Sequence, residues 1–316
     1  MFLLRGNRKF TSFLAVLSAF LMAFALNGCD ARKAMQAGLQ SAQPESFAAQ
    51  GENTDTLVYY LDVGQGDSEL IRLASGKTVL IDAGTPDTAD ALCDMLEKLG
   101  VSKIDILIAT HPHADHIGGM AKVVGRFPIG EIYMPRIPDK QVPTTATYEK
   151  LLTAIDSKGM KVTEGKAGMT VLDADGEKLE FLAPNSKKYT DLNNYSIVAL
   201  LTCGEKRFLF MGDAQTDSEK EILKKETKLN CDVLKCGHHG SSTSTSAAFL
   251  KAAAPQSAVI SCGVNNDYGH PDKKTVARLQ KAGVMIYRTD RQKTILARCD
   301  GKTVQFETGL ASVAQS

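Results

Sequence analysis

The sequence predicts an α/β fold of four layers, αββα, in which two mixed sheets pack face to face with helices on their outer sides. Two observations support this prediction. Short β-rich apolar runs recur in both halves of the region 55–316, and segments with helical spacing of apolar residues follow them. A sheet or helix with one apolar face must bury it, and two stacked sheets between helices bury all of these faces together.

The first half opens with strands that Gly-containing turns separate, a pattern typical of antiparallel pairs. The helix that follows ends before Gly100, a residue favoured just past a helix end. A further strand then leads to a histidine-rich loop, and a helix is expected from Gly118 onward. The predicted strands of this half are 57–62, 69–73, 78–82 and 104–109, and the first helix is 89–99.

The second half repeats this pattern of strands followed by helices. Strands 196–203 and 207–211 form a predicted hairpin through Gly204, and short strands fill 161–183 around a turn at Gly176. The other strands are predicted at 231–235, 258–262, 285–288, 294–297 and 304–306, and the helices at 148–158, 218–226, 246–253 and 272–282.

Residues 1–28 have the pattern of a bacterial lipoprotein signal peptide. Arg5, Arg8 and Lys9 precede the apolar run 13–26, and the small residue before Cys29 resembles a lipobox. The resemblance implies cleavage before Cys29 and a lipid on that cysteine, which would anchor the protein to the outer side of a membrane without spanning it. An uncleaved anchor is the alternative, but the run is shorter than the ~20 residues of a spanning helix.

The rest of the chain divides into a tether and one domain. Residues 29–54 are rich in Ala, Gln, Ser and Glu and predict a flexible segment. The region 55–316 is near the upper size of a single domain and contains no second apolar run of membrane length. No tandem repeat is visible in it.

The charge argues against a nucleic-acid-binding surface that covers the whole protein. The full chain carries a formal +1, and without residues 1–28 it has 34 Lys and Arg against 36 Asp and Glu, or −2. No global basic field therefore attracts nucleic acid, although a local basic groove is compatible with this composition.

Six cysteines follow Cys29. An even number in an exported protein permits disulfides. The spacings form no CxxC pattern and most of the cysteines lie in apolar strands, which favours buried free thiols. Cys236 lies close to a histidine pair and is a possible ligand, but a core position at a strand end is the preferred interpretation. These cysteines are Cys93, Cys203, Cys231, Cys236, Cys262 and Cys299.

All six histidines lie in three short motifs: 110–119, 235–242 and 268–271. Neutral imidazole is the commonest metal ligand in proteins, so this distribution predicts a metal site. In the first motif His111 and His113 alternate on an extended segment and can share one metal, whereas Asp115 and His116 turn toward a second position. Gly118 and Gly119 are expected to let the backbone turn tightly before the next helix.

HxHxDH followed by Gly-Gly resembles the metallo-β-lactamase superfamily. The segments 61–68, 81–84, 193–196, 210–213 and 237–241 are similar to the branch that contains the ComEC-type competence proteins and the phosphorylcholine esterases. The resemblance implies a two-metal site in which Asp213 bridges. His111, His113 and His239 would hold metal one, and Asp115, His116 and His270 would hold metal two. Zinc suits these ligands and manganese is the alternative. Sequence alone leaves open whether His238 or His239 is the ligand.

Other polar residues have two interpretations each. Asp62, Asp67 and Asp82 either form turns or orient ligating histidines through hydrogen bonds. Asn193 and Ser196 would bind a substrate phosphate or belong to a capped loop. Ser241 and its neighbours would line the substrate site or start the helix that follows. Tyr268 would stack on a substrate head group or cap it.

The function predicted is hydrolysis of a phosphodiester by a metal-bridging hydroxide. Catalytic roles fall to Asp115 and Asp213 at the metals and to His238, which would stabilise charge or protonate the leaving group. Single-stranded DNA and a cell-wall or lipid head-group diester are the two candidate substrates. A β-lactamase-like amide hydrolase and a non-catalytic metal-dependent surface binding protein are the alternatives. The sequence indicates no protein partner.

Overall fold

The computed structural model describes residues 55–226 and 228–314. The predicted signal peptide 1–28, the lipidation site Cys29 and the predicted tether 29–54 lie outside the described residues. None of the helices among the described residues has the length and apolar character needed to cross a membrane.

The first sheet has eight strands in the order β15-β14-β1-β2-β3-β4-β5-β6. Strands β3 to β6 are parallel to one another, and the other pairs are antiparallel. Its strands are Thr56–Tyr60 (β1), Glu69–Arg72 (β2), Thr78–Ile81 (β3), Ile104–Ile108 (β4), Ile129–Met134 (β5), Val162–Glu164 (β6), Thr294–Cys299 (β14) and Val304–Leu310 (β15).

The second sheet has seven strands in the order β13-β12-β11-β10-β9-β8-β7. Strands β10 to β13 are parallel, and β7 to β10 are antiparallel. Its strands are Thr170–Ala174 (β7), Glu177–Ala183 (β8), Val198–Cys203 (β9), Lys206–Phe210 (β10), Val233–Lys235 (β11), Ser257–Ile260 (β12) and Met285–Arg288 (β13).

Helices cover the outer side of each sheet. They are Ala89–Lys98 (α1), Ala114–Ile117 (α2), Met120–Arg126 (α3), Ala146–Ser157 (α4), Thr216–Lys225 (α5), Ala247–Ala253 (α6), Lys273–Lys281 (α7) and Thr289–Gln292 (α8). Short 3-10 helices are Pro86–Thr88, Asp139–Gln141, Leu192–Tyr195 and Gly237–Gly240.

Three apolar clusters fill the spaces between the four layers. Leu92 of α1 packs with Leu107 of β4 on the outer side of the first sheet. Tyr60 stacks on Phe210 between the sheets, with their ring centroids 6.1 Å apart. Phe249 of α6 belongs to the cluster under the second sheet. The αββα prediction is therefore confirmed.

The cysteines belong to these cores. All six are buried, as the sequence favoured, and none forms a disulfide among the described residues. Cys236 is fully buried in the apolar cluster under the second sheet, so its position is that of a core residue.

The two sheets meet at one edge, where the carboxyl ends of their parallel strands gather. The amide of Ile197, just before β9, donates to the carbonyl of Thr110, just after β4, over 2.9 Å. Every histidine motif follows a strand that ends at this edge, so the loops that carry chemistry stand on a rigid scaffold.

Candidate metal centre

The loop after β4 delivers four polar groups to this edge. His113 has an extended backbone (φ −78°, ψ 149°) and directly precedes α2, whose first turn holds Asp115 and His116. His111 Nε2 lies 3.0 Å from His113 Nδ1. The change from extended chain to helix therefore divides the loop into one pair that projects from the strand end and one pair that projects from the helix.

The helix prediction from Gly118 needs a correction, because two short helices, α2 and α3, flank Gly118 and Gly119. Neither glycine has positive φ. A Cβ on Gly118 would lie 2.3 Å from Pro86 N, and one on Gly119 would lie 2.4 Å from Ala83 O. These glycines therefore allow close backbone contact with the loop after β3, and they do not serve the tight turn expected.

Asp213 lies between two groups of ligands. Its Oδ2 is 3.7 Å from His111 Nε2, and its Oδ1 is 3.2 Å from His116 Nε2. The atoms of each group lie within 4.8 Å of one another. The first group is His111, His113 and Asp213, and the second is Asp115, His116, Asp213 and His239.

The grouping of the histidines in the structure differs from the predicted assignment to two metals. His239 was expected beside His111 and His113, but its Nε2 lies 3.2 Å from Asp115 Oδ2. Because β11 delivers His239 from the second sheet on the side of α2, it joins the second group.

His270 belongs to neither group among the described residues. Its ring stacks on that of His239 at 5.9 Å between centroids, and its Nδ1 is 3.5 Å from Gln65 Nε2. Among the described residues, the second group therefore contains His239 and not His270.

His238 lies at the mouth of the centre with 23% of its side chain exposed. Its Nε2 is 3.7 Å from Asp213 Oδ2, and its Nδ1 is 3.0 Å from Thr243 Oγ1. Both His238 (φ 49°) and His239 (φ 52°) have left-handed backbone conformations. Such strain in two consecutive non-glycine residues is typical of functional sites, and here it points the two imidazoles in different directions.

Asp82 orients His116. Its Oδ2 lies 2.7 Å from His116 Nδ1 and accepts a hydrogen bond from Thr110 Oγ1 at 2.6 Å, while Oδ1 accepts from Thr110 N at 2.8 Å. A carboxylate that binds one ring nitrogen fixes the tautomer and leaves Nε2 free for a cation. Asp82 thus has the geometry of the orienting role, and its left-handed backbone (φ 56°) also fits a turn.

Asp67 lies beside His239, whose Nδ1 makes its hydrogen bond with Ser261 O over 3.1 Å, and Asp67 is itself held by a buried cation. Asp67 Oδ1 lies 3.1 Å from His239 Nδ1, and Lys235 Nζ donates to Asp67 Oδ2 over 2.6 Å. Glu69 Oε1 is 3.9 Å from the same Nζ. The side chains of all three charged residues are at most 2% exposed.

Asp62 has no such contact with a histidine among the described residues. Its Oδ1 accepts a hydrogen bond from Gly64 N at 3.2 Å, and its Oδ2 accepts one from Ser312 Oγ. Of the two interpretations of Asp62, the structure therefore favours turn formation.

Ser196 also departs from its predicted role. It is fully buried, its Oγ lies 3.3 Å from His111 Nδ1, and this oxygen accepts from Asp213 N over 3.0 Å. A hydroxyl held between two candidate ligands cannot reach a substrate phosphate. Asn193 is 6% exposed, and its backbone amide is capped by Asp191.

The remaining predicted substrate residues differ in their exposure. Ser241 is 7% exposed, and its Oγ is 3.1 Å from Thr243 Oγ1. Ser246 caps α6, because its side chain accepts from Phe249 N. Tyr268 is 72% exposed and stacks on His270 at 5.7 Å between centroids.

The charges and the unpaired ligand atoms of the centre favour the binding of a cation. Burial lowers the pKa of His239, but Asp213 and Asp67 outweigh it and raise that pKa to about 10. Burial raises the pKa of Asp213, but His116 and His239 bring it well below its ordinary value. His116 Nε2 and Asp213 Oδ1 are buried and make no hydrogen bond within the described chain. Buried imidazole and carboxylate groups with free ligand atoms fit divalent cations.

Two contributors were absent from the sequence-based site. Lys235 stands at the end of an otherwise apolar strand, and a charged residue in such a run is a signal that could have found it. Thr110 bonds Asp82 and lies 3.1 Å from His111 Nδ1 through Oγ1. No pattern distinguishes Thr110 from an ordinary strand-end threonine.

Comparisons with known proteins agree with this geometry. A model of the metallo-β-lactamase superfamily matches residues 61–264. ComE operon protein 3 of Bacillus subtilis (strain 168) is 30% identical over 263 residues, which are 78% of this chain and 33% of that protein. Competence protein ComA of Neisseria gonorrhoeae is 34% identical over 256 residues, or 80% of this chain and 33% of that protein. These relatives confirm the predicted resemblance to the competence branch, and the chain spans about a third of their length.

Among solved structures, the metallo-β-lactamase fold protein YhfI from Bacillus subtilis has a TM-score of 0.50 at 14% identity. The match covers 77% of this chain and 99% of that chain. At this identity the likeness concerns the fold alone.

Proposed function

The chain belongs to the metallo-β-lactamase superfamily and is a metal-dependent hydrolase, and from this premise we propose that it is a binuclear phosphodiesterase. The observation that carries the proposal is the position of Asp213, whose two oxygens face two separate groups of ligands. Two-metal sites are common in enzymes that cleave phosphate esters, because two ions can stabilise both the attacking and the leaving oxygen.

Each group would hold one divalent ion, zinc or manganese. When bound, such ions supply Lewis acidity and lower the pKa of water. The ligands of the first ion would be His111, His113 and Asp213, and those of the second would be Asp115, His116, His239 and Asp213.

The chain's own contribution to proton transfer is assigned to His238. It is the histidine of the adjacent pair that lies outside both ligand groups, and it is partly exposed beside Asp213. Thr243 holds its Nδ1, which leaves Nε2 directed toward the centre. From there the imidazole can donate a proton to a leaving alkoxide or stabilise developing charge. Ser241, Asn193 and Tyr268 remain proposed substrate contacts.

Two diesters are proposed as substrates: single-stranded nucleic acid, and a cell-wall or lipid head-group diester. The names of the two competence relatives favour nucleic acid. We further propose that Cys29 carries a lipid that places the enzyme at the outer surface of a membrane. Release of a Cys29→Ala variant from the membrane fraction would support this anchor, whereas equal retention of both forms would refute it.

A substrate panel with the full-length protein tests the function. Purified protein loaded with zinc or manganese is offered bis-p-nitrophenyl phosphate, single-stranded DNA, a phosphocholine ester and nitrocefin. We expect turnover of bis-p-nitrophenyl phosphate that stops after chelation and returns with metal. Turnover of nitrocefin alone would indicate an amide hydrolase, and bound metal without any turnover would indicate a binding protein. Either result would overturn the proposal.

A further inference from the structure

A basic cleft lies at the same edge of the sandwich as the metal centre. Its cavity of about 660 Å³ is bordered by the segments that follow β5, β6 and β8 and by the end of α5. The charged residues that line it are Arg136, Lys166, Lys187, Lys225, Asp139 and Glu164.

Three of the four cations in this cleft are free to bind a ligand. Lys166 Nζ is 3.9 Å from Glu164 Oε1. Within residues 55–226 and 228–314, Arg136, Lys187 and Lys225 form no ion pair, and all three are exposed. The cleft therefore has an excess of positive charge on a chain whose predicted mature charge is negative.

The cleft lies beside the metal centre and not over it. In the first sheet β4 leads to His111, and β6, which borders the cleft, is two strands away. In the second sheet β10 leads to Asp213, and β8 is again two strands away. Since neighbouring strands are separated by about 4.8 Å, the border after β5 lies about 5 Å, and the borders after β6 and β8 lie about 10 Å, to the side of the strands that lead to the metal ligands.

The segment between the cleft and the centre is fixed by hydrogen bonds. Tyr195 OH accepts from Tyr189 N and donates to Gln141 Oε1, each over 2.8 Å, and Gln141 Nε2 donates to Tyr189 O over 2.8 Å. Ser196 then contacts His111 and Asp213. The separation of the cleft from the ligands is therefore set by the fold.

An aromatic side chain lies on the opposite side of the centre. Tyr268 follows β12, whereas the cleft borders β8, and the strands that lead to Asp213 and His239 lie between them. Its ring is 72% exposed. Grooves that bind single-stranded nucleic acid combine basic groups along the backbone with aromatic rings on which bases stack.

We propose that this cleft binds backbone phosphates of a single-stranded nucleic acid whose scissile diester lies at the metal centre, with a base near Tyr268. The proposal rests on the phosphodiesterase function. A single head-group diester at the centre would not extend across the cleft, whose borders after β6 and β8 lie about 10 Å to the side. A strand that crosses the edge contacts the cleft, the centre and Tyr268 in turn.

The test compares two triple variants of equal charge change. The cleft variant is Arg136→Glu/Lys187→Glu/Lys225→Glu. The control is Lys77→Glu/Lys98→Glu/Lys302→Glu, whose exposed lysines lie at the opposite edge and form no ion pair in the described chain. Binding of a fluorescent 20-nucleotide strand is measured by anisotropy at several salt concentrations, and kcat/KM is measured for that strand and for bis-p-nitrophenyl phosphate.

We expect the cleft variant to bind the strand at least tenfold more weakly than the control. The slope of log binding constant against log salt concentration should become shallower by about 2, because three phosphate contacts are lost. The ratio of kcat/KM for the strand to kcat/KM for the small diester should also fall at least tenfold.

Equal binding of the strand by both variants would refute the proposal that the cleft binds nucleic acid, even if the small diester is hydrolysed. If neither variant nor the unaltered protein hydrolyses either substrate, but the two variants still differ in binding, the phosphodiesterase function is refuted and the nucleic-acid-binding role of the cleft is supported. Competition by poly(glycerol phosphate) as strong as that by the oligonucleotide would overturn nucleic acid as the occupant.

Discussion

Lys235 donates a hydrogen bond to Asp67 over 2.6 Å across the two sheets, and the side chain of each is 1% exposed. The Lys235→Met variant should lower the free energy of unfolding by about 3–5 kcal/mol, because it leaves Asp67 as a buried charge without its partner and close to Glu69. Urea unfolding measures this loss.

Lys206→Met is the matched control for this loss. Lys206 pairs at 3.0 Å with Asp232, which directly precedes β11, but both side chains are partly exposed, so its removal should cost no more than about 1 kcal/mol. Adding Asp67→Asn to Lys235→Met should recover part of the stability, since it removes the unpaired charge. Equal losses in the two single lysine variants would contradict the prediction.

Asp82 and Asp62 were equal candidates for orienting a histidine, and their contacts now separate them. Asp82→Asn should weaken metal binding about 10- to 100-fold, because His116 loses the carboxylate that fixes its tautomer. Asp62→Asn should leave the affinity unchanged, since its contacts are Gly64 and Ser312. Competition with a chromophoric chelator measures both affinities, and a similar loss in both variants would refute the distinction.

Asp213 belongs to both ligand groups and His113 to one. Asp213→Ala should therefore lose both ions, whereas His113→Ala should keep about one ion per chain, and both variants should abolish turnover while they stay folded. Metal content by mass spectrometry and far-ultraviolet circular dichroism check these results. Asp217→Ala, an exposed carboxylate beside Lys220, should retain full activity and metal. Full activity in Asp213→Ala would exclude the shared site.

His239 and His270 test the revised assignment of ligands. His239→Ala should lower the metal content, because His239 Nε2 lies among the atoms of the second group. His270→Ala should keep two ions per chain, because its ring lies outside both groups in the described structure. Loss of one ion from His270→Ala, with full occupancy in His239→Ala, would restore the assignment predicted from sequence.

The predictable part of the site lies within one loop. The spacing of His111, His113, Asp115 and His116 fixes which side chains can act together, and no knowledge of the distant chain is needed. The αββα layers were predictable for a similar reason, since the periodicity of each segment shows which face it must bury.

The features of the site that the sequence did not predict depend on how the two sheets pack against each other. Whether His239 joins His111 or Asp115 is decided by the position of β11 relative to β4, which no local pattern encodes. For Ser196 the sequence left open a substrate contact or a capped loop, and in the structure its hydroxyl contacts His111 and Asp213. Lys235 has a role only because Asp67 of the other sheet comes within reach of its ammonium group.

Each ligand group draws residues from both sheets, since His111 to His116 follow β4 and Asp213 and His239 follow β10 and β11. Bound ions would thus link the two sheets at this edge. The sheets could not separate there until an ion dissociated. Resistance to heat and to proteases would then increase with the time for which the ions stay bound. A chelator would therefore lower the melting temperature of this enzyme as well as inhibit it, although the metal-free chain stays folded under assay conditions.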